Sequence, residues 1–419
     1  MAQTVDIKAL KDTKIFEPIR IGDHTLSNRV VFAPTTRRRA LDDHTPSDLQ
    51  LKYYSDRSEY AGSLLITEGT FVSEEAGLYT NVPGIWNQKQ EQAWRKITDK
   101  VHENGSYISC QLWNLGRTAD PVLLKERGYD FVSSSVVYTS EDSKRVAEES
   151  WNPLRALKTE EIEKMVNETY VNAAERAIKA GFDYIELHCA HGYLLDQFLQ
   201  PCSNKRTDKY GGSIENRARV VLEIVDKLIE TVGSHRIGLR ISPWAKFQNM
   251  LAEKDEVHPI TTFSYLLHEL QRRADKGNEL AYISIVEPRA QGSLAENRVQ
   301  VDEAVEPSKI GGDNSFVYNV WKGAVLRTGN YTYDVPNFFC ALADIEDDRT
   351  LIGFSKFYTS NPDFVHRLKE GLPLNHYDRS TFYAKSNWGY NTFLRYGERA
   401  QIQREIQEAK FPTISAESS

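Results

Sequence analysis

Eight short runs along the chain are almost wholly apolar and mostly rich in β-branched residues: RVVFAP, GSLLITEG, SYISCQLW, DYIELHC, RIGLRISP, AYISIVE, GAVLRTGN and TLIGFS, beginning at Arg29, Gly62, Ser106, Asp183, Arg236, Ala281, Gly323 and Thr350. Their length and composition predict strands. Segments of helical period lie between several of them. From Glu160 to Ala180 the apolar positions Ile162, Met165, Val166, Tyr170, Ala173, Ala177 and Ile178 share one face, and Gly181 ends the run. A second helix is predicted from about Ile214 to Thr231, with Val221, Leu222, Val225, Leu228 and Ile229 inward and Gly233 as its stop. A third covers TTFSYLLHELQRRADKG from Thr261.

Strands this uniformly apolar are buried on both faces, which is the condition of parallel strands flanked by helices. Eightfold alternation predicts an α/β fold, a single (β/α)8 TIM barrel spanning 1–419, with an open doubly wound sheet as the rival. The glycine fingerprints G-x-G-x-x-G after the first strand and G-x-x-x-x-G-K-[ST] are absent, so neither dinucleotide-binding nor P-loop architecture has its usual support. A long polar connection, about Asn114 to Leu157, falls between strand 3 and helix 3 and is expected as an insertion or lid over the active face. Residues of about 1–14 and 402–419 are expected as peripheral tails, the latter ending in ISAESS.

Composition narrows the function classes. Hydrophobic residues make up 40% and charged residues 26%, enough for a large core. A formal net charge of −7 provides no global attraction for nucleic acid or anionic lipid. No apolar stretch approaches the roughly 20 residues that span a bilayer, and the N-terminus lacks signal-peptide and presequence character. Cys110, Cys189, Cys202 and Cys340 are scattered, with no C-x-x-C pair. Together these features predict a cytoplasmic globular protein with no nucleic-acid or membrane partner.

In a barrel the chemistry sits where the strands end. The stretch YIELHCAHGYLLDQF places His188 at such an end, with Tyr184 and Glu186 on the same strand face and His191 and Tyr193 in the turn that follows. Two imidazoles converging on the mouth suit the binding of one developing anion, such as an enolate oxygen, and Tyr193 can supply a proton beside it. The same residues permit a metal-dependent hydrolase or isomerase, with His188, His191 and Glu186 as ligands. That reading lacks the H-E-x-x-H motif and an obvious further ligand.

The segments RVVFAPTTRRRA, LLITEGTFVS, QLWNLGR, IELHCAHGYLLDQFLQPCSNKRTDKYGGSIENRAR, GLRISPW, EPR and LIGFSKFYTSNPD resemble, in order and spacing, the old yellow enzyme family of FMN-dependent ene-reductases, nearest its yeast branch. The resemblance covers nearly the whole chain. It implies FMN held non-covalently at the barrel mouth, NADPH as reductant, and an enone or enal as the molecule reduced.

Residue by residue, the resemblance puts Thr36 at the flavin C4 carbonyl, Gln111 at the pyrimidine edge, Gly69 at a close backbone approach and Arg240 beside N1 and O2, where a cation favours the anionic reduced ring. Gly329, Asn330, Gly353 and Lys356 fall at the phosphate. Relatives often carry arginine in place of Lys356; lysine offers no bidentate fork, which implies weaker retention of FMN. His188 and His191 match the pair that anchors the substrate carbonyl, the second being asparagine in many relatives. Tyr193 matches the acid that protonates the α carbon, a residue absent from some alkene-isomerising fungal relatives. Trp113, Tyr79, Phe247 and Tyr383 match residues lining the substrate pocket. The Arg37–Arg39 run reads as a solvated face and takes no assigned role. A flavin-binding sensor without turnover is a third class, which the intact His188, His191 and Tyr193 set opposes. A homodimer is allowed, though no motif specifies it.

Overall fold

The computed structural model describes residues 4–290 and 311–398. Eight parallel strands, β1 (Val30–Phe32), β2 (Leu64–Ile66), β3 (Tyr107–Trp113), β4 (Tyr184–Cys189), β5 (Ile237–Ile241), β6 (Tyr282–Val286), β7 (Val325–Thr328) and β8 (Thr350–Phe354), pair each with the next, and β8 pairs with β1 to close the ring. This is the barrel that the alternation predicts, and the open sheet is excluded by the β8–β1 ladder.

The period of two sorts each strand's residues between two cores. On β4, Ile185, Leu187 and Cys189 point outward and join Val221, Val225 and Leu228 of the helix Ile214–Val232 in the main apolar cluster. Inward residues Val31, Leu64, Tyr184, Tyr282, Leu326 and Leu351 form a second cluster. A hairpin, Ile19–Ile21 with His24–Leu26, plugs that end of the barrel through Ile19, Ile21 and Leu26. Further along the strands the same inward parity becomes polar, at Gln111, Glu186, His188, Arg240, Ser284 and Thr328. The barrel therefore has an oily floor and a polar mouth.

The predicted helices form with two adjustments. The one expected from Glu160 runs as Thr159–Lys164 and Tyr170–Lys179 around a π-turn at Met165–Thr169. The third begins earlier, at Pro259, because proline suits a first helical turn and the His258 side chain accepts from the Ile260 amide. The segment 114–157 is an insertion between β3 and the next helix, in which helices Pro121–Glu126 and Glu141–Glu149 alternate along the chain with the two strands of a parallel pair, Val132–Ser133 and Arg155–Ala156. Of the amino-terminal residues expected as a peripheral tail, the described ones include Thr4–Val5, which pairs antiparallel with Leu374–Asn375, and Leu10, which is buried. The other expected tail, 402–419, lies outside the described residues.

The arginine run departs furthest from its expected character. Arg37 and Arg39 are 1% and 0% exposed. Arg37 donates to the carbonyls of Phe382 at 3.1 Å and Gly389 at 2.7 Å. Arg39 donates to Thr381 O at 2.8 Å, Phe382 O at 2.7 Å and Ser386 O at 3.1 Å. Burial pushes the Arg39 guanidinium down to about 10, with Arg37 adding repulsion. A buried cation holds its place only when its donors are satisfied, and here main-chain carbonyls of one segment, 381–389, satisfy them.

The opposing charge is Glu68, also buried, whose Oε2 accepts from the Arg37 and Arg38 amides at 3.0 and 3.2 Å. Its Oε1 accepts from Gln50 at 2.8 Å. Gln50 closes the capping box of the helix Asp48–Arg57 with Ser47, so a local helix-start signal also fixes a buried carboxylate.

Replacing Arg39 by methionine strands these carbonyl acceptors in the interior. The expected loss is about 3 kcal/mol of unfolding free energy, read by urea denaturation, with new proteolytic cuts in 381–389. A change below ~0.5 kcal/mol, the usual range for inert surface substitutions, would contradict the clamp.

Candidate active site

A cavity of ≈ 300 Å³ opens at the C-terminal ends of the barrel strands. Its floor is built by residues one step beyond the strands or at their last inward positions. Gln111 and Trp113 come from β3, His188 from β4, Arg240 from β5 and Gly353 from β8, while Thr36 stands in the loop after β1. His191, Tyr193 and Phe247 close one side, and Tyr79 and Tyr383 another.

His188 and His191 face each other with ring centroids 5.8 Å apart at 69°. His191 has φ +56, the turn that lets two imidazoles three residues apart converge. Its amide donates to Ser242 Oγ at 2.7 Å. The Tyr193 ring meets His188 edge-on at 4.9 Å and Trp113 at 4.8 Å. Tyr193 precedes the helix Leu194–Leu199, whose Gln197 amide donates to the Tyr193 carbonyl at 2.8 Å.

Burial and the Arg240 charge both act on these groups. Desolvation, then Arg240 and His191, holds His188 well below its ordinary value, and desolvation with Arg240 pushes His191 down to about 3. Both rings are therefore neutral near pH 7. Each neutral ring carries one N–H, and the His188 Nδ1 is buried with no partner among the described residues. Burial raises the Tyr193 phenol well above its ordinary value, so it keeps its proton.

Arg240 is 9% exposed, and its Nε has no partner among the described residues. Behind it lies Glu186, fully buried. Burial raises this carboxyl while the Arg240 charge opposes the rise. Glu186 Oε1 accepts from Gln111 Nε2 at 2.7 Å, which fixes the Gln111 amide at the cavity floor. Glu186 thus serves as a buried counter-charge, and among the described residues no group of three or more His, Cys, Asp or Glu is arranged to hold a metal ion.

At the other end of the cavity, Gly329 and Asn330 follow β7 with φ of +130 and +54. A Cβ on Gly329 would stand 2.8 Å from the Ala290 Cβ, and one on Gly353 would stand 2.7 Å from the Thr328 Cγ2. These glycines keep the backbone close-packed there. Lys356 opens the short helix Lys356–Ser360 beside them.

Gly69 is placed apart from the other predicted residues. It is not on the cavity wall, and its close neighbour is the Trp113 indole, 2.4 Å from where a Cβ would stand. The insertion 114–157, expected over the active face, contributes no residue to the wall. It touches the site through Thr118, whose carbonyl accepts from the Tyr79 hydroxyl at 2.5 Å. Covering residues come instead from Arg379, just before the segment that Arg37 and Arg39 clamp, and from Phe382 and Tyr383 on that segment itself.

Sequence reasoning missed Arg289. It lines the cavity, donates from Nε to Gly329 O at 2.8 Å, lies over the Tyr331 ring at 4.2 Å and leaves Nη2 buried without a partner among the described residues. Its signal was the EPR run, a cation two residues past a strand-end glutamate.

The family model for the NADH:flavin oxidoreductase / NADH oxidase family matches residues 14–375. A probable NADPH dehydrogenase of Candida albicans is 52% identical over 392 residues, covering 93% of each chain. Enoate reductase 1 of Kluyveromyces lactis is 46% identical over 394 residues, 93% of this chain and 96% of that one. The crystal structure of old yellow enzyme from a Pichia species superposes with a TM-score of 0.86 at 50% identity, over 94% of this chain and 96% of that one. With the barrel and its polar mouth, these matches establish that the chain belongs to the NADH:flavin oxidoreductase family, the family of old yellow enzyme.

Proposed function

We propose that the protein reduces the activated C=C bond of α,β-unsaturated carbonyl compounds in two half-reactions, with NADPH as reductant and FMN as resident cofactor. The observation that carries this reading is the convergence of donors on one cavity: the neutral His188 and His191, the protonated Tyr193 and the cations Arg240 and Arg289 all line it, and among the described residues no carboxylate does. The chemistry supplied by FMN when bound is hydride carriage between a nicotinamide and an electron-poor alkene.

The residues fit that cofactor. Arg240 would stabilise negative charge on the bound ring, Gln111 would offer an amide fixed by Glu186, and Thr36 would offer a hydroxyl. Lys356, Arg289 and the backbone at Gly329, Asn330 and Gly353 suit a phosphate monoester, with the Arg289 guanidinium adding planar donors that Lys356 lacks.

For the substrate, the N–H groups of His188 and His191 hold the carbonyl oxygen and strengthen as charge develops on it. The Tyr193 hydroxyl gives its proton to the α carbon, and burial keeps that proton in place until then. Trp113 and Tyr79 fix which face of the alkene is presented. The comparisons agree in class: relatives carry the names NADPH dehydrogenase and enoate reductase.

Tyr193→Phe tests the proton step. Flavin reduction by NADPH should persist, while reoxidation by 2-cyclohexenone should slow by about 100-fold or more in stopped-flow absorbance. An unchanged reoxidation rate would remove the acid role.

The imidazoles generate a second expectation. Because both pKa values are lowered, protonation sets in only far below 6.5, so the reoxidation rate with a neutral enone should show no inflection between pH 5.5 and 8. A fall centred near 6.5 would mean that the rings titrate as exposed histidines.

A further inference from the structure

Five cationic side chains line the cavity, Arg38, Arg240, Arg289, Lys356 and Arg379, and among the described residues no carboxylate does. Arg240 and Arg289 have carboxylates behind them in Glu186 and Glu287, the latter 3.6 Å from Arg289 Nη1. Arg38 differs. Its main-chain amide reaches Glu68, but its guanidinium makes no ion pair or hydrogen bond with any described residue, and its Nε is buried without a partner.

The backbone holds Arg38 in this position deliberately. Its φ is +56, a left-handed conformation that costs an L-residue with a long side chain roughly 1 kcal/mol. Glu68 fixes the amides on both sides of Arg37, while the Arg37 and Arg39 side chains are buried on main-chain carbonyls of 381–389 and do not line the cavity. Arg38 is thereby turned to the cavity, where its guanidinium lies over the Tyr79 ring at 5.2 Å and the Tyr383 ring at 5.3 Å. The two ring faces restrain the plane of the guanidinium and leave its edge for a ligand. An apolar side chain would fill the gap between two tyrosines without the cost of desolvating a charge.

We propose that Arg38 is a specificity-determining residue that recognises an anionic group on the small molecule entering the cavity. The shared chemistry is a planar or tetrahedral oxyanion accepting two N–H donors, and it has two sources: a carboxylate on the unsaturated substrate or the 2′-phosphate that distinguishes NADP+ from NAD+. The inference rests on the proposed function only for the kind of molecule that enters.

The test is calorimetric binding to the purified flavin-loaded protein with two matched pairs, 4-carboxycinnamaldehyde against cinnamaldehyde and NADP+ against NAD+. In the wild type the more anionic member of at least one pair should bind more tightly. Arg38→Met should shrink that Kd ratio at least fivefold, while Arg38→Lys, which keeps the charge, should retain part of it. The pair that responds identifies the source. A shift below fivefold in both pairs would overturn the proposal. Loss of the wild-type's enone turnover would count against the proposed function instead, and the Kd ratios stay readable in that case.

Discussion

An arginine inside a barrel is the constraint around which the mouth is organised. Arg240 sits on an inward strand position, nearly removed from water, and a charge there stands only with a counter-charge and a ligand to face. Glu186, two residues before His188 on the neighbouring strand, is the counter-charge, and its own burial is tolerable because Arg240 opposes it. Burial, with the same cation adding to it, depresses both histidines, so His188 and His191 act as neutral donors. Gln111, held by Glu186, completes a floor in which each polar group is oriented by another.

A second buried charge system shapes the opening. Glu68 gathers the amides of Arg37 and Arg38, and the side chains of Arg37 and Arg39 secure the segment whose Phe382 and Tyr383 cover the cavity. The two systems do different work. One tunes the chemistry at the strand ends, and the other positions the wall that a substrate meets.

The barrel was legible because its strands are buried on both sides and therefore apolar over their whole length, a pattern that needs no knowledge of tertiary contacts. His188, His191 and Tyr193 were legible as a cluster at a strand end, and family resemblance supplied Thr36, Gln111 and Arg240, which the structure brings to the same cavity. Three things were not legible. A run of arginines gives no sign of which way each side chain turns, and the left-handed Arg38 between two buried neighbours has no sequence signature. The polar insertion 114–157 looked like a lid because length and polarity do not reveal that it packs beside the mouth. The packing of Gly69 against Trp113, where a Cβ would stand 2.4 Å from the indole, has no sequence signature either.

The most direct measurement is the visible absorption spectrum of the purified protein, titrated without oxygen first with NADPH and then with 2-cyclohexenone. The account predicts an oxidised-flavin band that bleaches with the first addition and returns with the second. A protein that takes up no FMN, or a bound flavin that NADPH leaves oxidised, would contradict it.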